Sequence, residues 1–278
     1  MDIRIGYDLV CECAVPTPMI LMLSVHPSRK SDVLSGGEIK TEPKVKLRHY
    51  TDSFGNRCTR VVAPAGQVRF FTDGVVRDSG LPDPVVPNAQ EVPVADLPDD
   101  ALVFLVGSRY CETDRLSNDA WALFGNVAPG WTRVQAICDF VHNHITFGYQ
   151  HARSTRTAAE AFNERIGVCR DFAHLAVTLC RAMNIPARYC TGYLGDIGVP
   201  KDPAPMDFSA WFEAYLGGEW YSFDARHNIP RIGRIVMARG RDAADVPLIN
   251  TFGPHYLQKF EVWTDELPAE TKRKSRAA

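Results

Sequence analysis

The run Gly167-Val-Cys-Arg-Asp-Phe-Ala-His-Leu-Ala-Val-Thr-Leu-Cys-Arg-Ala-Met183, continued at once by Asn184-Ile-Pro-Ala-Arg-Tyr-Cys-Thr-Gly-Tyr193, decides how this chain folds. From Phe172 onward the apolar residues Phe172, Leu175, Ala176, Leu179, Cys180 and Met183 recur at helical spacing, and Gly167 and Pro186 fall just outside the two ends. The spacing predicts a buried helix with Cys169 at its mouth. Unpaired N–H groups and the helix dipole favour an anion at that end and lower a thiol's pKa, which makes Cys169 a candidate nucleophile. The residue type fits a small buried hydrophobe equally well.

Downstream, residues 187–194 read as a strand and 195–206 as a loop carrying Gly195, Gly198 and three prolines. Next comes Asp207-Phe-Ser-Ala-Trp-Phe-Glu-Ala-Tyr-Leu216, then Gly217-Gly218, then Glu219-Trp-Tyr-Ser-Phe-Asp-Ala-Arg226, two β-rich runs around a glycine pair and hence a hairpin. With the turn centred on the glycines, position 209 faces position 226 and lies diagonal to Asp224 on the same sheet face. Parity puts His227 opposite Phe208, on the other face, unless a bulge re-aims it. The arginines between Arg231 and Asp242 read as a solvated rim of a strand, and residues 256–263 as a final strand.

Upstream, Val134, Ile137, Cys138, Val141 and Ile145 form one helical stripe. Thr157-Ala-Ala-Glu160 is a capping-box pattern opening a short helix that closes near Gly167. The first third of the chain is β-like. Residues 2–9 alternate polar and apolar, 44–50 and 57–62 flank turn residues at 52–56, and 67–71 and 75–77 flank Asp73-Gly74 as a second hairpin. Between 79 and 99 prolines stand at 82, 84, 87, 93 and 98 with no sustained periodicity, the composition of an extended connection. The expected division is therefore a β-rich module at 1–78, a Pro-rich connection at 79–99, a second domain at 100–263 and a polar tail at 264–278.

Composition narrows the class. The 278 residues are 45% hydrophobic and 23% charged with a net charge of -2, ordinary for a globular chain and without the basic footprint of nucleic-acid binding. No run is apolar for the eighteen or so residues a membrane span requires, and the start is not laid out as a signal peptide. A cytoplasmic location is expected, with no membrane and no nucleic acid among the partners. The eight cysteines form no dense framework, so free thiols are expected. Neither Cys11/Cys13 nor His142/His144 has the setting of a zinc site, and no metal site is expected.

Taken together, Gly167-Val-Cys169 with Asp171 and His174, the Pro-Ala-Arg-Tyr run ending at Tyr193, Ala210-Trp211 with Glu213, and Trp220 followed by Phe223-Asp224 resemble a bacterial transglutaminase-like cysteine peptidase. The likeness covers roughly residues 132–228, and the β-rich start resembles the N-terminal module of that group. It implies an α+β fold: an antiparallel β module followed by a papain-related domain whose nucleophile heads a helix packed on an antiparallel sheet. It also implies a Cys-His-Asp triad, with Cys169 as nucleophile and Asp224 as the acid. No cofactor is implied, and the expected partner is a peptide or protein amide. The Arg-Gly-Gly-x-Cys signature of arylamine acetyltransferases, which share the triad, is missing.

One position departs from the pattern. The family's His-Ala-Trp stands here as Ser209-Ala210-Trp211, so the general base is missing from its place. A serine hydroxyl does not accept a proton near neutral pH. Four explanations fit: an inactivating substitution, natural loss of activity, another use of the pocket, or a base supplied from elsewhere. The expectation is the first two. His227 and His174 are not expected to replace the base, and His174 is expected to be a buried polar group with a structural partner. The chain is therefore read as a cysteine hydrolase or acyltransferase on amide or isopeptide bonds, inactive or impaired as written. The alternative is a non-catalytic protein that keeps a peptide groove.

Overall fold

A computed structural model describes residues 1–268; most of the polar tail expected at 264–278 lies outside the described residues. The chain opens with seven strands: β1 (Asp2–Cys13), β2 (Thr17–Leu21), β3 (Val33–Ser35), β4 (Lys40–Glu42), β5 (Arg48–Thr51), β6 (Arg57–Ala63) and β7 (Gly66–Arg77). The hairpin predicted around 52–56 is present as β5 and β6, closed by the Asp52 carboxylate, which accepts from the Phe54 and Asn56 N–H groups. The second predicted hairpin is not. Asp73-Gly74 lies inside the uninterrupted β7, which begins at Gly66 with a φ of +91°, where the chain passes from the sheet of β6 to that of β1. Gly74 serves close approach instead: a Cβ there would stand 2.8 Å from the Ser35 carbonyl oxygen and 2.7 Å from the Gly37 nitrogen.

After the proline-bearing connection come the helices α1 (Asp99–Leu102), α2 (Thr113–Phe124) and α3 (Trp131–His144), then β8 (Thr146–Phe147), α4 (Ala158–Glu164), β9 (Ile166–Gly167) and α5 (Cys169–Ala182). The predicted stripe of α3 is buried throughout, and Thr157 and Glu160 make the predicted reciprocal cap of α4. The strands β10 (Ala187–Tyr193), β11 (Ser209–Leu216), β12 (Glu219–Phe223) and β13 (Ile235–Gly240) form an antiparallel sheet in the order β12-β11-β10-β13. Phe212, Ala214 and Leu216 of β11 join the helices in one apolar core, and from Asp171 to Ala182 every residue of α5 is buried. This is the α+β architecture expected from the sequence, with the Cys169 helix packed on an antiparallel sheet.

The last strands, β14 (Ile249–Thr251) and β15 (His255–Glu266), return to the beginning of the chain. β14 pairs with β2, and β15 pairs with β1 along nearly its whole length, so the sheets of the N-terminal module are completed across the division drawn from composition. A second apolar core joins Ile5, Tyr7, Leu9, Val68 and Phe70 to Tyr193, Phe208, Ile235 and Met237. Phe208, one residue ahead of β11, stacks edge-on against Tyr7 and Phe260 at ring-centroid distances of 6.0 and 5.9 Å.

Candidate active site

The start of α5 is built by an aspartate. Asp171 Oδ2 accepts from the Val168 N–H at 2.9 Å and from Arg156 Nη1 at 3.0 Å, which satisfies a helix-end donor and holds the buried carboxylate as an ion pair. Gly167 is required beside it, because a Cβ would stand 2.7 Å from the Asp171 Cβ and 2.8 Å from Oδ2. Gly167, Cys169 and Asp171 thus form one device that sets the cysteine as the first helical residue. His174 is buried as expected: it stacks on Tyr110 at 5.2 Å, and its Nε2 accepts from the Ala243 N–H. Burial, aided by Arg170 and Arg181, holds its pKa well below the ordinary histidine value.

Cys169 is half-buried and lines a cleft of about 80 Å³ together with Tyr149, Asp207, Ser209, Arg226 and His227. On its other side a wider groove of about 590 Å³ runs past Ser209 and Phe208 to Val246, Leu257 and Phe260. The structure therefore brings Cys169 and Ser209 to one cleft. Ser209 opens β11 opposite Gly192, its carbonyl accepts from Thr191 Oγ1, and its own buried hydroxyl has no hydrogen-bond partner among the described residues. A buried polar atom without a partner carries a free-energy cost and marks a place where the surroundings suit another group.

The Cys169 thiol departs from the sequence-based expectation of a lowered pKa. Although part of the residue's surface is open, protein closely surrounds the sulfur, and burial pushes the thiol up to about 11. Arg226 and the Ala210 N–H pull the other way, while the Asp207 and Asp224 carboxylates add to the rise. Asp207 is itself raised by burial, against the Phe208 N–H and Arg226. With two carboxylates near it and no imidazolium at position 209, the sulfur carries its proton at neutral pH.

Asp224 does not line this cleft. β12 ends at Phe223, and the Asp224 Oδ1 accepts from the N–H groups of Arg226 and His227, turning the chain out of the sheet. The 209–226 pairing expected from the hairpin register is therefore never made, although the ladder that forms, Phe212 opposite Phe223 through Leu216 opposite Glu219, has that register. The turn also overturns the expected parity of His227. Its Nδ1 lies 2.8 Å from Asp224 Oδ2, and the same oxygen accepts from Arg234 Nη2 at 2.9 Å. Burial alone would raise the Asp224 carboxyl, but Arg234, His227 and the backbone donors outweigh it and hold it well below the usual carboxylate range.

The arginines expected to form a solvated rim are largely structural. Arg234 is buried, pairs with Asp83 as well as Asp224, and lies 5.2 Å from the Trp211 ring centroid; Arg239 makes two hydrogen bonds to Glu213. This accounts for the Ala210-Trp211-x-Glu213 pattern. Trp211 is the platform for the arginine that fixes Asp224, and Glu213 joins Arg188 of β10 to Arg239 of β13. The sequence reading missed Arg234 and the position of His227; an aspartate two to three residues ahead of exposed polar residues is the turn signal that could have found the second.

Comparison with known proteins agrees with this fold. Residues 122–225 match the Transglutaminase-like superfamily, a span that contains Cys169, Ser209 and Asp224. The crystal structure of a "Putative Cysteine Protease" from Cytophaga hutchinsonii is 31% identical, with a TM-score of 0.83 over 97% of this chain and 91% of that one. An uncharacterized protein of Mycobacterium leprae is 35% identical over 94 residues, 31% of this chain and 32% of that protein. One of Mycobacterium tuberculosis is 35% identical over 115 residues, 37% of each. The chain thus spans about a third of the length of these curated relatives. With that family match and a 31% identical relative covered over 91% of its length, the chain belongs to the transglutaminase-like superfamily.

Proposed function

We propose that this chain is a cysteine hydrolase or acyltransferase that acts on amide or isopeptide bonds through a thioester at Cys169, impaired as written because Ser209 stands where an imidazole is expected. The observation that carries the reading is the placement of a half-buried thiol at the first position of a buried helix, facing one cleft with a serine whose hydroxyl has no partner. The sulfur would attack the carbonyl carbon, with the Cys169 N–H at the open helix end as a donor near the developing oxyanion. Collapse would expel the amine, and water or a second amine would then take the acyl group from sulfur. Asp224, fixed by Arg234, is the group that would orient an imidazole at 209. The free thiols of all eight cysteines support a reducing compartment, for which we propose the cytoplasm, and no helix among the described residues is long and apolar enough to cross a membrane.

A peptide or protein amide is the proposed substrate, because the groove beside Cys169 runs as an open channel to the apolar side chains of β15. The raised thiol favours a second reading, a non-catalytic protein that retains the groove for binding. Peptide libraries bearing glutamine, lysine isopeptide or simple amide bonds separate the two. Release of amine that is lost in Cys169→Ala supports the enzyme; peptide binding with no release, even after Ser209→His, supports the binding protein.

A further inference from the structure

The cleft at Cys169 contains an imidazole that already has a carboxylate behind it. His227 lines the cleft beside Cys169 and Ser209, its Nδ1 is 2.8 Å from Asp224 Oδ2, and no partner is recorded for its Nε2 among the described residues. Asp224 can act in this way because Arg234 and two backbone N–H groups hold it as a carboxylate. An imidazole whose Nδ1–H is donated to a fixed carboxylate presents Nε2 as the acceptor, the tautomer a general base requires. The remaining charged and titratable groups around it are Arg226 on the same turn, Arg231 and Arg234 on the segment leading into β13, and Asp207, Asp196, Asp202 and Tyr149 across the cleft.

We propose that His227, held by Asp224, serves as the base for Cys169 in this chain, in place of the imidazole missing at position 209. This rests on the reading of Cys169 as nucleophile. In the forward step the Cys169 S–H proton passes to His227 Nε2 as sulfur bonds to the carbonyl carbon. When the tetrahedral intermediate collapses, the C–N bond breaks and the imidazolium returns the proton to the departing amine. Water then adds to the thioester with His227 taking its proton, the C–S bond breaks, and that proton goes to sulfur, so the enzyme is regenerated without oxidant or metal.

The test uses p-nitrophenyl acetate, whose leaving group needs no acid, and reads acylation of Cys169 by mass mapping across pH. The parent should acylate with a pH-dependent rate limb that requires His227. His227→Gln should slow acylation about a hundredfold or more and move the limb toward the thiol's own range. Ser209→His in the His227→Gln background should restore both, since Asp224 is then free to hold the new ring. His227→Gln with unchanged rate and limb overturns the proposal, and loss in Asp207→Asn instead would assign the base to Asp207. A slow His227→Gln that Ser209→His does not restore assigns His227 a merely structural role and also overturns it. Acylation that persists in Cys169→Ala overturns the nucleophile reading itself, a result distinct from either.

Discussion

At the residue scale the buried carboxylate of Asp224 controls the site. Its pKa is held below the unfolded value of about 4, so it contributes stability above that pH and loses it as pH falls toward the folded value. Asp224→Asn leaves the buried Arg234 with Asp83 as its remaining charge partner and is expected to cost about 1–3 kcal/mol at neutral pH. The gap between variant and parent should narrow progressively in thermal melts as the pH falls below about 4. A gap that stays constant with pH would show that the pair contributes no charge-dependent stability. Cys169 was legible because the apolar stripe from Phe172 and Gly167 just outside it place the cysteine at the helix start. His227 was not, because strand parity holds only while the strand lasts, and here two hydrogen bonds to Asp224 end it after Phe223.

Among the elements, α5 shows the largest dependence on local sequence. Gly167→Ala drives a methyl into the Asp171 carboxylate, which must then give up the Val168 N–H or Arg156; a loss of about 1–3 kcal/mol is expected, with altered alkylation of Cys169. Thr157→Ala, which removes the α4 cap, should cost about 0.5–2 kcal/mol and leave Cys169 alkylation unchanged. Denaturant titrations of the two variants check both. These helix boundaries could be read from capping residues and apolar stripes. The Asp73-Gly74 pair misled because glycine marks close backbone approach as well as turns, and only the packing of β7 against the segment after β3 tells which.

For the whole molecule, the shared core makes the N-terminal sheets part of the site. Phe208 precedes Ser209 and packs on Tyr7, Tyr193 and Phe260, so Phe208→Ala is expected to cost about 3–5 kcal/mol and to lower one unfolding transition seen alike by near- and far-UV circular dichroism. Two separated transitions would show that the module folds alone. Composition marked the proline-rich stretch, but the return of β15 to β1 pairs residues some 250 positions apart and leaves no local trace. That Cys169 is an acyl-accepting nucleophile needing an imidazole held by Asp224 is checked by turnover of an amide peptide panel with Ser209→His in the His227→Gln background, where the carboxylate is free. Amine release should rise by about a hundred- to ten-thousand-fold over His227→Gln alone, with a thioester trapped on Cys169 and all activity lost in the added Cys169→Ala. A folded double variant that releases no more amine than His227→Gln, or one whose turnover survives Cys169→Ala, contradicts that role for Cys169.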